Sequence, residues 1–399
     1  MNCLYLEDQF RQLLLTLIFK IFMKNIWQIF LVSFILLSGS CIREFTPQTT
    51  EAKGMIIVDG LITDKPEAYT IKLSNPNKLG ESNIPEPISG CVVNISDDSG
   101  QSFSFTEMTP GVYTSDSTVF QGIVGRFYTL HISTNFNNSN HNYESIPIEL
   151  KPSPPIDTLY YEKIAFKEGA GGVSSEEGCQ IYLDTHDPNN KCKFFRWEYI
   201  ETWEFRLPYS VPNNICWVSN NSDVINIKNT SGIEEDRISK YPLNLVSNLT
   251  DRLREKYSIL VNQYALNENE YLYWQKLQST SEQVGGLYDI APAAIPSNVY
   301  CIDDQNQKVF GYFSVSGCTS KRIFIRDNFA GVYTPYTNDA CIADTIFGNG
   351  PIAYLNTSVW VIIYHSVPPP SYRIITYSNF CYDCTLRGTK IRPDFWEGD

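Results

Sequence analysis

Short apolar, β-forming segments, some alternating apolar and polar with a period of two, recur between turn clusters along most of this chain, which predicts a protein built from strands. Met55–Val58 opens the series. Tyr69–Leu73 reads apolar-polar-apolar, the pattern of a half-buried strand. Ser89–Ile95, Phe103–Phe105, Val112–Tyr113 and Gly125–Ile132 follow, separated by Asp-Gly, Asp-Ser-Gly and Pro-Gly turn chemistry. Strands at this spacing predict a β-sandwich over residues 54–150. Residues 151–157, with Pro152, Pro154 and Pro155, read as a stiff linker. A larger β-rich domain is expected over 158–399, with strands at Leu159–Tyr161, Gln180–Leu183, Phe194–Phe205, Lys256–Leu266, Arg322–Ile325 and Tyr354–Tyr364. Val299–Ile302 and Val309–Val315 are expected to pair as a hairpin.

The period changes to that of a helix near 268–282. Asn267 is an N-cap, with Glu270 placed to complete a capping box. Tyr271, Trp274 and Leu277 form its apolar stripe, and Gly285-Gly286 ends it. The expected fold class is therefore mainly β: an N-terminal sandwich, then a larger β-rich domain with a short helical insertion.

The first 40 residues depart from this pattern. Lys24 supplies a charged start, Ile26–Leu37 an apolar core, and Ser38-Gly39-Ser40 the small residues a signal peptidase needs. Cys41 follows at the cut, where a lipidated thiol becomes the new N-terminus. Translation from Met23 makes residues 1–22 an upstream extension and 1–40 the part removed. A signal anchor over Leu13–Leu37 and an ordinary cleaved signal are the competing readings. Residues 41–53 read as a tether, reaching at most about 40 Å when extended. The body is therefore expected to stay near its membrane, through the Cys41 lipid.

Composition adds constraints. The formal net charge of −13 and the absence of a basic cluster disfavour nucleic acid as a partner. An exported compartment permits disulfides among the 11 cysteines. Cys179 and Cys192 flank a turn between strands, Cys381 and Cys384 have CxxC spacing, and Cys318 and Cys341 are further candidates. No metal site is expected, because no second ligand pair stands at defined spacing.

Several segments resemble known modules. Gly60-x-x-x-Asp64, Ser89-Gly90-Cys91-Val92-Val93 and Pro110-Gly111-Val112-Tyr113 resemble transthyretin-like, Ig-like sandwich modules. Ile57–Asp64, Phe195–Thr202, Tyr257–Tyr264, Tyr273-Trp274, Gly285–Asp289, Cys381–Cys384 and Pro393–Trp396, in that order, are similar to the domain-of-unknown-function family 4249. The resemblance implies an outer-membrane lipoprotein, often encoded beside TonB-dependent receptors. It implies a β-barrel receptor of that class as partner, and no catalytic residues or cofactor.

Candidate chemistry is sparse. On the strand Phe194–Phe205, period two places Phe195, Trp197, Tyr199, Glu201, Trp203 and Phe205 on one face. A carboxylate among aromatics must find a partner or raise its pKa. Trp197, Tyr199, Glu201 and Trp203 are therefore candidate ligand or partner contacts. The competing structural reading is a bulge, or an ion pair from Glu201 to an arginine such as Arg252 or Arg254. Asp184–Asn190 concentrates oxygen ligands but lacks the bidentate Glu of a calcium loop, and reads as an Asx-rich hairpin turn. Asp116–Thr118, Asp157–Leu159 and Asp344–Ile346 fit an Asp-Ser/Thr O-glycosylation pattern. The four histidines fall in no HExxH pattern, and no Gly-x-Ser-x-Gly elbow, P-loop or dinucleotide fingerprint occurs. The expected function is a non-enzymatic lipoprotein assisting a TonB-dependent transporter. The alternatives are surface capture of glycan or peptide, and a hydrolase without a recognisable motif.

Overall fold

The computed structural model describes residues 55–76, 85–136, 139–167, 176–208, 211, 213–283, 295, 297–333, 343–347, 361–365, 372–376 and 381–396. The signal region, Cys41, the tether, Gly285–Asp289, Cys341 and the start of the strand expected at Tyr354 lie outside them. Ala52–Asp399 forms one compact unit by its contacts.

Strands dominate, as the period-two pattern predicts. The first run is β1 (Ile56–Ile62), β2 (Thr70–Asn75), β3 (Glu86–Pro87), β4 (Val92–Asp97), β5 (Ser102–Thr109), β6 (Val112–Thr114), β7 (Phe127–Phe136), β8 (Ser139–Ser145) and β9 (Ile148–Glu149). The second is β10 (Ile156–Lys167), β11 (Glu176–His186), β12 (Phe194–Arg206), β13 (Ile215–Asn221), β14 (Asn226–Asn229), β15 (Arg237–Ser247) and β16 (Tyr257–Ala265). Helix α1 (Glu268–Gln283) follows, at the position its cap and stripe predict. Then come β17 (Val299–Cys301), β18 (Val309–Val315), β19 (Cys318–Ile325), β20 (Ala343–Phe347), β21 (Val361–His365) and β22 (Tyr372–Thr376).

The first sandwich is one continuous sheet that folds over on itself, in the order β17-β8-β7-β4-β5-β6-β2-β1-β18. β5 pairs with β4 at one end and β6 at the other, with a register shift between Glu107 and Thr109. Such irregularities let a strand turn a corner between two layers. The inward positions of both layers, among them Val58, Ile71, Leu73, Ile95, Tyr113, Leu130, Ile132 and Phe313, make one buried core.

The expected β17–β18 hairpin does not form. β17 pairs antiparallel with β8, and β18 pairs parallel with β1, Ile56 opposite Val309. The chain thus returns to the first sandwich after the boundary expected at 158. Alternation marks which face of a strand is buried but carries no information about its partner. The β1–β18 approach depends on Gly311: its φ is 81°, and a Cβ there would lie 2.0 Å from Val58 O.

The second sandwich packs the β10-β11-β15 sheet against the sheet β13-β12-β16-β19, to which β14 adds along β12. Ile181, Leu183, Phe195, Trp197, Trp203, Phe205, Val246, Ile259 and Val261 are buried between them. β20, β22 and β21 form a separate antiparallel sheet.

The proline segment 151–157 is built into the body rather than spanning free between domains. Pro154 O accepts from Gln263 Nε2 and from Thr319 Oγ1, both at 2.7 Å, and Lys151 O accepts from Gly317 N at 2.8 Å. Lys65 Nζ, on the first sandwich, reaches Asn262 Oδ1 on β16 at 3.0 Å. α1 adds to this junction: Tyr271 and Trp274 pack with Ile227, Tyr264, Leu266, Cys318 and Leu61.

Candidate functional site

The aromatic face of β12 is core. Trp197, Tyr199 and Trp203 are buried, and Glu201 is 5% exposed. The face therefore offers no surface for a ligand, which corrects the contact expected there. The structural alternative holds: Arg252 Nη1 lies 2.9 Å from each oxygen of Glu201, and Tyr257 Oη donates to Oε2 at 2.9 Å. Burial, with the Glu201 carboxylate beside it, holds the Tyr257 phenol well above its usual range. Trp197 Nε1 donates to Gln263 Oε1 at 2.8 Å, so the indole is satisfied inside the fold.

The turn after β11 is Asx-rich, as expected, but it joins two sheets and is not the hairpin expected there. Asp187 Oδ2 accepts from the backbone N of Lys191 and Cys192, and Oδ1 from Asn189 N. Burial acts against the charged carboxyl, but these donors outweigh it and lower its pKa. Among the glycosylation triplets, Thr118 Oγ1 is engaged with Asp116 Oδ1 at 2.6 Å, Asp157 pairs with His186 Nδ1 at 2.6 Å, and Asp344–Ile346 lies on β20.

Of the candidate disulfide cysteines, Cys381 and Cys384 are disulfide-bonded, while Cys179, Cys192 and Cys318 are not. Cys384 bonds to Cys216 across 168 residues. Cys179, Cys192 and Cys318 are free and buried. Cys179 sits on β11 of one sheet while Cys192 precedes β12 of the facing one, so the turn between them changes layers instead of pairing two strands. Burial pushes both thiols up to about 12.

A cleft that no sequence motif announced lies beside α1. It has a volume of about 300 Å³. Asn269, Leu272, Tyr273 and Lys276 line it from the helix, and Ser297, Asn298, Tyr300 and Tyr312 from the β17–β18 region, with Ile146 at one side. The helix is set by its cap: Asn267 Oδ1 accepts from Glu270 N at 2.9 Å. The opposite wall is set by Asn298, whose amide exchanges two hydrogen bonds with the Phe313 backbone, at 2.7 and 2.9 Å. Tyr273 and Tyr312 meet with ring centroids 4.8 Å apart, and Leu272 and Tyr300 stand exposed at the mouth. The sequence signals for this site are the side of α1 opposite the Tyr271–Trp274 stripe and the segments of β17 and β18, whose pairing with β8 and β1 places them here.

Behind the cleft, Glu270 is completely buried. Its side chain does not fold back on Asn267 as a capping box requires. It lies near Ser314 and Trp274, with Trp274 Nε1 at 3.5 Å. Burial pushes its carboxyl up to about 7, against the stabilising pull of Ser314, Arg196 and Trp274. Arg196 stacks over the Trp274 ring at 3.7 Å and pairs with Glu198. Among the described residues no helix is long and apolar enough to cross a membrane.

The sequence model of the family described as "Domain of unknown function (DUF4249)" matches residues 42–322, and the chain belongs to that family. The match takes in the marker segments from Ile57 to Asp289, and the Cys381–Trp396 segments lie beyond it. No curated protein matches the chain.

Proposed function

We propose that this member of the family is a non-enzymatic outer-membrane lipoprotein, anchored through Cys41, that serves as accessory or docking partner of a TonB-dependent transporter. The cleft beside α1 is its contact site. The observation that carries this reading is the lining of that cleft. Three tyrosines, Leu272 and Ile146 supply contact area, while Lys276, Asn269 and Asn298 supply directional polar groups, the composition of a recognition surface. Among the described residues, the lining holds no carboxylate, imidazole or thiol. The signal sequence ending at Cys41 supports the address, and the short tether keeps the body near its membrane.

A second reading, capture of glycan or peptide, draws on the same lining, since tyrosine faces beside amides suit sugar rings and extended peptides. Purification from detergent-solubilised envelope separates the two. A β-barrel transporter that comes down with the wild-type protein and is lost with Leu272→Ala/Tyr300→Ala supports docking. A monomer that binds glycan or peptide arrays through the same residues supports capture. The anchor is tested by Cys41→Ser: a variant released from the membrane supports lipidation, and one left unprocessed in the membrane replaces it with a signal anchor.

A further inference from the structure

β8 and β17 run antiparallel at the edge of the first sandwich, with Tyr143 opposite Cys301. Ile302 N donates to Asn142 O at 2.8 Å and extends the ladder one step. This register brings His141 to Cys301, 160 residues further along the chain, and to Asp303. Cys301 Sγ lies 4.0 Å from His141 Nδ1, and the donor atoms of His141, Cys301 and Asp303 all fall within 4.8 Å of one another. Cys301 is buried at the floor, His141 is half-buried, and Asp303 is exposed at the rim.

The carboxylate is already oriented. Asp303 Oδ2 accepts from Asn142 N at 2.6 Å and from Asn142 Nδ2 at 3.1 Å. The His141 ring leans on Tyr143, whose hydroxyl accepts from Gln307 Nε2 at 3.1 Å, so the loop after Asp303 is tied to the same strand. Groups that hold a ligand from behind in this way fix its direction at a metal site.

We propose that His141, Cys301 and Asp303 form a binding site for a divalent transition-metal ion of the zinc type, with a fourth position open to solvent. The donor set decides the class of ion. Calcium and magnesium take oxygen ligands, whereas one thiolate, one imidazole and one carboxylate suit a borderline-soft cation. Geometry agrees. Zinc–sulfur and zinc–nitrogen bonds of about 2.3 and 2.0–2.1 Å at a tetrahedral angle place the two donors about 3.6 Å apart. The 4.0 Å found here closes with a small side-chain rotation. Binding converts the Cys301 thiol to a thiolate and releases one proton to solvent, with no change of oxidation state. The ion would clasp β17 to β8 and so hold the returning segment on the first sandwich.

Cobalt(II) titration of the chelator-treated, detergent-purified full chain tests the site, because a thiolate ligand has its own optical signature. The expected result is one equivalent bound, a thiolate-to-cobalt charge-transfer band in the near ultraviolet, and visible bands of tetrahedral intensity. Zinc should abolish all of these and raise the melting temperature. Cys301→Ser should remove the charge-transfer band. Asp303→Asn, at the exposed rim where folding is not at stake, should keep the band and weaken binding at least about tenfold. A wild-type spectrum without the band, a band that persists in Cys301→Ser, unchanged affinity in Asp303→Asn, or a peptide map placing Cys301 in a disulfide overturns the proposal. Should Cys301→Ser fail to fold, the Asp303→Asn affinity decides.

Discussion

Arg252 Nη1 stands 2.9 Å from both carboxylate oxygens of Glu201, in the interior of the second sandwich. The side chain of Glu201 is 6% exposed and that of Arg252 is 21% exposed. The pair ties the short 3-10 turn at Asp251–Leu253 to the middle of β12, and Tyr257 on β16 completes the carboxylate's partners. An acidic residue on an aromatic strand face is here a structural clamp.

Glu201→Gln therefore leaves a half-buried guanidinium facing a neutral amide. Removing one partner of a buried pair costs roughly 3–5 kcal/mol. The loss here should fall toward the lower end, since Arg252 keeps some access to water and Gln retains a hydrogen bond to Tyr257. Denaturant unfolding should show this loss while binding at the α1 cleft is unchanged. A variant as stable as wild type would remove the clamp from the account.

Glu270 predicts a dependence on pH. Its folded-state pKa of about 7 is raised above its ordinary value of 4.5, chiefly by burial. A raised value means that the group's contribution to stability is fully present below about 4.5 and is lost as pH rises through about 7. With this group ionised the fold carries a penalty of at most roughly 3 kcal/mol. Melting temperature should accordingly be lower above neutrality than at mildly acidic pH, through this group. Glu270→Gln, which stays neutral, should flatten that slope and melt higher than wild type in alkaline buffer. Parallel pH–melting curves for the two proteins would refute the assignment.

The disulfide between Cys216 and Cys384 anchors the segment at 381–396 to β13. Around it, Trp217 and Thr389 exchange backbone hydrogen bonds at 2.9 Å, and Arg387 Nη2 reaches Asp251 Oδ1 at 2.6 Å. A cross-link over 168 residues restricts the unfolded chain strongly, with an expected contribution of about 3–5 kcal/mol. Cys384→Ser should lower stability by that order and expose the 381–396 segment to limited proteolysis. Equal protease resistance in variant and wild type would count against the anchor.

Much of the fold was legible because its signals are local. β2 and β12 announce themselves by alternation, β1, β16 and β18 by short apolar runs, and α1 by Asn267 and a stripe at Tyr271 and Trp274. Even the partner of Glu201 was foreseeable, since a buried carboxylate needs a cation and Arg252 was at hand. The cleft was not legible, because its two walls come from α1 and from β17 and β18, two strands that return to the first sandwich by pairing with β8 and β1. Cys216 was overlooked for the same reason: spacing along the chain favours near neighbours, whereas its partner is 168 residues away.

The sequence by itself determined which residues of the marked strands face inward and where the helix at 268–283 interrupts them. These follow from the two-residue and 3.6-residue repeats and from runs of neighbouring side chains. Tertiary structure alone decided that β18 lies parallel to β1, that β17 brings Cys301 and Asp303 to His141, and that Cys384 bonds to Cys216. Alternation gives a strand two faces but leaves its edges free to pair with any complementary partner. Only the joint packing of both sandwiches selects which edge it meets.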